Sequence, residues 1–92
     1  MELIRKAKSG TLESSDVLVT VEPAGELIIT LDSPVKEQFA CAILETVRGV
    51  LEEFSVRTGK IELADQGALD CTIRARLTTA LKRASQPAGG EK

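Results

Sequence analysis

Two segments near the start of the chain are rich in β-branched and aliphatic residues. Residues 17–21 (VLVTV) and 27–31 (LIITL) have the composition of β-strands. The link between them, EPAGE, contains a proline and a glycine, which are typical of turns. The pattern therefore predicts two strands that pair as an antiparallel hairpin.

An amphipathic helical pattern follows these segments. Ser33 offers a hydroxyl that can cap free backbone N–H groups, and Pro34 suits the first position of a helix. Apolar residues then recur at steps of three and four residues, while the charged residues fall largely on the opposite side. We expect one helix from Ser33 to about Phe54.

The last third of the chain allows two interpretations. Residues 60–63 alternate as in a short strand, and Asp65-Gln66-Gly67 indicates a turn. Beyond it, apolar and polar residues alternate, as in a half-buried strand, yet every fourth residue is also apolar, as in a helix. We favour a strand to about residue 75 and then a helix over 76–84. One long helix from about Gly67 is the alternative.

This order of elements predicts an α+β fold. We expect a small two-layer sandwich with a mainly antiparallel sheet of three or four strands and two helices on one face, not a four-helix bundle. Residues 1–15 mix charge, Ser and Gly, and are expected to form a flexible N-terminal arm. A single domain over 16–84 follows, and the polar segment 85–92 is predicted to be disordered.

Composition narrows the possible functions. A chain of 92 residues is about one small domain, in which a deep closed pocket is hard to build. Aromatic residues make up only 2% and the net charge is −2, so stacking platforms and a basic stripe for nucleic acid are missing from the sequence. No apolar stretch is long enough for a membrane span or a signal peptide, which favours a soluble cytoplasmic protein.

The sequence offers little to an independent enzyme. It contains no histidine, which rules out a Ser-His-Asp triad within the chain, although carboxylates and lysines remain as possible bases. Cys41 and Cys71 lie far apart in apolar surroundings, without the spacing of metal ligands, and are predicted to be buried thiols.

The candidate chemistry lies in the run GTLESSD, residues 10–16. Ser14 and Ser15 stand between Glu13 and Asp16, just before the first predicted strand. A serine on a mobile arm is a poor nucleophile, because nothing holds it against a base, but another enzyme's active site can close around it. From the residues alone, the commoner explanation is an ordinary turn in which Ser and Asp side chains bond local backbone N–H groups.

Two blocks of sequence resemble a known family. The run GTLESSDV at residues 10–17 looks like the N-terminal signature of citrate lyase acyl carrier proteins, the gamma subunits of that complex. DQGALDC at residues 65–71, with RARL at 74–77, resembles the family's C-terminal signature. Because the chain length and the predicted central helix also fit, the resemblance covers nearly the whole chain.

The resemblance implies a carrier function. It implies that Ser14 bears 2'-(5''-phosphoribosyl)-3'-dephospho-coenzyme A through a phosphodiester, installed by a separate transferase. This arm would hold acetyl and citryl thioesters while an alpha subunit (acetyl-carrier:citrate transferase) and a beta subunit (citryl-carrier lyase) convert citrate to acetate and oxaloacetate. Ser15 stands where family members often have Gly, and its hydroxyl is a second possible acceptor.

Four charged residues have roles that the sequence leaves open. Glu13 and Asp16 are candidates for recognition by the transferase, and Arg74 and Arg76 for docking to a partner or to the arm's phosphates. Simple solvated positions are the alternative for all four. For the whole chain, the alternatives are the carrier subunit of malonate decarboxylase, which bears the same group, and an unmodified structural interaction module.

Overall fold

The described chain forms a four-stranded mixed sheet and two helices. The computed structural model describes residues 1–34 and 36–86, and the elements follow in chain order. They are β1 (Ala7–Gly10), β2 (Val17–Glu22), β3 (Leu27–Asp32), α1 (Lys36–Glu53), β4 (Gly59–Asp65) and α2 (Asp70–Ala84). The predicted small α+β domain is confirmed, and it is not a helical bundle.

The core lies between one face of the sheet and the two helices. Alternate residues of β2 and β4 are buried, as the two-residue period of a strand requires. They pack with α1 and α2 in a single aliphatic cluster, whose fully buried members include Val19, Ile61, Leu77 and Leu81. This cluster supplies the rigid body to which the loops at each end of the sheet are attached.

The predicted hairpin between residues 17–21 and 27–31 is wrong, although both segments are strands, β2 and β3. The strand order is β1-β2-β4-β3, so β4 lies between them, antiparallel to β2 and parallel to β3. A parallel pair needs a long crossover, which α1 provides between β3 and β4. The link at 23–26 must then span two strand spacings, about 10 Å, which four residues can reach.

The favoured strand before residue 75 is also wrong, and the alternative of one long helix is right. Helix α2 runs over Asp70–Ala84. Ile73, Leu77 and Leu81 are at most 2% exposed, whereas Leu69 is 70% exposed. The four-residue step therefore describes the buried face of this segment, and the two-residue alternation has no structural counterpart.

The N-terminal segment contains a strand that was not predicted. β1 pairs antiparallel with β2, from Ala7 opposite Val21 to Gly10 opposite Leu18. Leu3 is only 6% exposed, and the Ile4 and Arg5 N–H groups donate to the Ala84 carbonyl. Part of the segment expected to be a flexible arm is thus an edge strand, while the flexibility of the remainder stays a prediction.

The start of the central helix differs from the expectation, whereas the end of α2 agrees with it. The central helix begins at Lys36 and not at Ser33, whose hydroxyl donates to the Asp65 carboxylate at 2.7 Å. After α2, Ser85 and Gln86 leave the helix, and most of the predicted disordered tail, residues 87–92, lies outside the described residues. Within the part of the chain that is described, no helix is both long and apolar enough to cross a membrane.

Candidate functional site

Ser14 lies in a tight turn between β1 and β2. The Asp16 N–H donates to the Glu13 carbonyl at 3.1 Å and closes a four-residue turn in which Ser14 is the first central residue. Ser14 is exposed, and no group in residues 1–34 or 36–86 hydrogen-bonds its hydroxyl. The hydroxyl is therefore accessible to a second protein without prior rearrangement of the fold.

Ser15 anchors this turn through its backbone. Its φ is 67°, a left-handed conformation that few residues other than glycine adopt readily. The Ser15 N–H donates to the Gln66 carbonyl at 2.7 Å, and the Gln66 N–H donates to the Asp16 carbonyl at 2.8 Å. These two bonds join the turn to the loop that follows β4.

Asp16 is the centre of the polar contacts beneath the turn. Its carboxylate accepts hydrogen bonds from the Thr11 hydroxyl at 2.7 Å and from the Val17 N–H at 2.7 Å. Arg76 donates to both carboxylate oxygens, from Nε at 3.1 Å and from Nη2 at 2.9 Å. The paired geometry of guanidinium and carboxylate makes this a directional contact as well as an ion pair.

The charge state of Asp16 follows from these contacts. The hydrogen bonds from Arg76, and after them those from Thr11 and Val17, hold the pKa of the Asp16 carboxyl well below its usual range. The Asp16 side chain is 14% exposed and that of Arg76 is 40% exposed. Asp16 is thus an ionised anchor whose negative charge is compensated by Arg76.

Gly10 allows β1 to enter the turn closely packed against β2. Its φ is 101°, and a Cβ at this position would lie 1.8 Å from the Val17 carbonyl oxygen and 3.3 Å from Cδ of Arg76. Any side chain here would force the two strands apart. The sequence showed Gly10 only as the first residue of a motif, and the structure gives the physical reason for it.

The loop after β4 forms the other side of the site. Asp65 is 1% exposed, and its carboxylate accepts bonds from the Ser33 hydroxyl at 2.7 Å and the Ala68 N–H at 2.9 Å. This fixes the loop that carries Gln66. The sequence pattern assigned Asp65 and Gln66 only to a turn and gave them no part in the site, although both begin the second block of the family resemblance.

The structure separates the charged candidates. Arg76 joins the turn, whereas Arg74 lies on the exposed surface and pairs with Glu53 of α1 at 3.9 Å. Glu13 contributes its backbone, since its N–H donates to Thr11 Oγ1 at 3.1 Å, and it is otherwise exposed. The two sequence blocks, far apart along the chain, therefore meet at the Ser14 turn through Arg76 and Gln66.

The cysteine prediction is wrong. Cys41 and Cys71 are both exposed free thiols. Each lies on the outward side of its helix, because the buried positions are filled by Ile43 and Ile73 instead. Among the described residues, no cluster of His, Cys, Asp or Glu has the arrangement of a metal site.

Comparison with known proteins finds relatives along most of the chain. The family model described as "Malonate decarboxylase delta subunit (MdcD)" matches residues 4–84. The citrate lyase acyl carrier protein of Treponema denticola is 46% identical, over 94% of this chain and 99% of the relative. That of Serratia proteamaculans is 48% identical, over 91% of this chain and 84% of the relative.

The chain belongs to the citrate lyase acyl carrier protein family, whose members are carrier subunits and not catalytic ones. A further relative, the citrate lyase acyl carrier protein of Streptococcus mutans, is 43% identical over 94% of this chain and 86% of its own length. A solved structure from Thermus thermophilus has a TM-score of 0.53 at 13% identity, and covers 91% of this chain and 16% of that one. That likeness concerns the fold alone.

Proposed function

We propose that this chain is the acyl carrier subunit of citrate lyase and bears phosphoribosyl-dephospho-coenzyme A on Ser14. The observation that carries the proposal is the Ser14 hydroxyl, which is exposed and has no hydrogen bond among the described residues. It lies on a turn that is held in place by the ion pair of Asp16 with Arg76. An acceptor hydroxyl must enter another enzyme's active site, so it needs access more than it needs a neighbouring base.

The residues present fit such a group. Ser14 and its neighbours Glu13 and Ser15 are exposed, so a bulky substituent can leave the turn without displacing the core. A phosphodiester brings a negative charge close to Asp16. Because Arg76 already compensates that carboxylate, the added charge does not meet an unpaired buried anion.

The backbone conformation makes Ser14 a better acceptor of the prosthetic group than Ser15. Ser15 is held in a left-handed conformation and by the bond from its N–H to Gln66. A transferase that reshaped the backbone at Ser15 would have to break this link to the loop after β4. At Ser14, the same enzyme would meet a side chain that projects from an intact turn.

The proposal implies a division of labour between this chain and its partners. The group would supply a terminal thiol that carries acyl units as thioesters. The chain's own part is to hold Ser14 on a fixed turn and to present it to the alpha and beta subunits, which would perform the chemistry in the cytoplasm. A tether of this kind raises the effective concentration of the carried substrate at each partner's site.

The malonate decarboxylase carrier is the second candidate, and the description of the matching family model favours it. The same Ser14 turn would serve that function equally well, because a carrier needs only the attachment site and a stable body. The choice between the two depends on which enzyme chains accept the modified carrier.

Reconstitution tests both candidates. The chain is produced with the transferase and purified, and the thiol of its arm is acetylated with acetic anhydride, because citrate can enter only by replacing an acetyl thioester. It is then added to carrier-free alpha and beta chains of citrate lyase, or in parallel to carrier-free malonate decarboxylase. We expect oxaloacetate from citrate with the wild-type chain and with Ser15→Ala, and none with Ser14→Ala. Full activity with Ser14→Ala would favour an unmodified interaction module, and activity only with malonate decarboxylase would favour the second candidate.

A further inference from the structure

A group of basic side chains lies where β1 meets the end of α2. Arg5, Lys6, Lys8 and Arg83 line a shallow depression of about 590 Å³, together with Ala7 and Gln86. These four residues are called the basic edge below. The chain as a whole has a net charge of −2, so this positive surface is a local feature and not a reflection of overall composition.

The side chains of the two arginines of the basic edge form hydrogen bonds within the fold. Arg5 Nε donates to the Arg83 carbonyl at 2.9 Å, and Arg83 Nη1 donates to the Lys8 carbonyl at 2.8 Å. These bonds tie β1 and the residues just before it to the last turn of α2. They also cover part of the outer side of β1, which is the last strand of the sheet at this end of the order.

The two lysines have no comparable role in the fold. Lys6 and Lys8 are exposed, and their ammonium groups form no hydrogen bond or ion pair with residues 1–34 or 36–86. Their charges are therefore available to a second molecule at no cost to internal contacts. A surface of this kind complements an acidic one.

The basic edge is close to the Ser14 turn. Strand β1 leads from Lys8 directly to Gly10, where the turn begins. Along α2, Arg83 is seven residues from Arg76, which corresponds to about 10 Å at 1.5 Å per residue. An ordinary protein interface covers roughly 800 Å² on each partner, enough to include both features.

We propose that the basic edge docks an acidic surface of the enzyme that installs the group on Ser14. This rests on the proposed function, since an enzyme must close around the turn. Lys6 and Lys8 attract the acidic partner over a distance and orient the turn toward its active site, so they act mainly on the rate of association. The competing explanation is that the lysines only keep β1 from pairing with another strand.

The test uses charge reversal with a matched control. The Lys6→Glu/Lys8→Glu chain is compared with Arg48→Glu/Arg57→Glu, which makes the same change in net charge. Arg48 and Arg57 are exposed residues that line a different depression, beside Leu27, Leu51 and Val56. For each chain, kcat/KM of the transferase for Ser14 modification is measured by mass spectrometry, and thermal melting verifies that it is folded.

We expect Lys6→Glu/Lys8→Glu to lower kcat/KM at least about tenfold at 0.01 M salt, where charges act over roughly 30 Å, and about twofold or less at 1 M salt. The control should stay within about twofold of wild type at both. Equal losses in both variants, or no loss in either, would overturn the docking surface alone. A wild-type chain that accepts no group from an active transferase would overturn the proposed function, and the docking surface with it.

Discussion

Replacement of Gly10 by alanine tests the geometry of the Ser14 turn most severely. A residue with a side chain at φ 101° is strained, and its Cβ would lie 1.8 Å from the Val17 carbonyl oxygen. Backbone strain of this type costs about 1–3 kcal/mol. Because the clashing atom belongs to a paired strand, β1 or β2 must also move, and we expect a total loss of about 3–4 kcal/mol.

Two other glycines separate the contributions to this loss. Gly67 has a φ of 88° but open space around its Cβ position, so Gly67→Ala should cost only the backbone strain, about 1 kcal/mol. Gly49 lies within α1, also with open space, and Gly49→Ala should stabilise the chain by up to about 1 kcal/mol. The three variants differ in strain and in steric clash while adding the same methyl group.

Urea unfolding, monitored by the helical circular dichroism signal, gives the free energy of unfolding of each variant. A domain of this size has roughly 5–14 kcal/mol of total stability, so the expected loss at Gly10 lies well within reach of the method. A Gly10→Ala chain that unfolds at the same urea concentration as Gly67→Ala would refute the close approach of β1 to Val17. It would also weaken the account of how the turn is positioned.

Other predictions concern the Asp16–Arg76 ion pair, the hydrophobic core and the two cysteines. The contribution of Asp16 to stability should be fully present above its unfolded pKa of about 4 and be lost as the pH falls below it, and Asp16→Asn should remove that dependence in urea titrations. Arg76→Gln should slow Ser14 modification, measured by mass spectrometry, more than Arg74→Gln does. Leu81→Ala should cost about 2–5 kcal/mol in urea unfolding. Both cysteines should react with a thiol reagent in the folded chain, and reaction only on unfolding would contradict their exposure.

The sequence predicted secondary structure best where the apolar residues follow a single period. The central helix has one apolar stripe and no competing pattern, and it was predicted with an error of about one turn at its start. At 69–77 the apolar residues fit both a two-residue and a four-residue period. The local alternation does not show that the position beside β2 in the sheet is occupied by β4. Burial of Ile73 and Leu77 against the sheet decided in favour of the helix.

Strand pairing was harder to predict than strand position. A turn-forming link between β2 and β3 predicts a hairpin, because local sequence carries no information about a strand that arrives later in the chain. β4 pairs on both sides and is buried at alternate residues from Gly59 to Asp65. Its place in the sheet depends on contacts between distant segments, which a propensity argument does not include.

For the site, the residues alone and the resemblance each contributed a part. The expected local turn is present, since the Asp16 carboxylate accepts a bond from the Val17 N–H. Only the resemblance singled out Ser14 as the modified residue, which stays a prediction. The contact between Arg76 and Asp16 follows from the helical form of the second block, which places Arg76 on the side of α2 that faces the turn.

The most direct test of the central claim is tandem mass spectrometry of the chain after incubation with an active transferase and its group donor. We predict one added phosphoribosyl-dephospho-coenzyme A mass per chain, with fragment ions that place it on Ser14 and an unchanged mass for Ser14→Ala. An adduct on Ser15, or no adduct while a known acceptor is modified in the same preparation, would contradict the assignment.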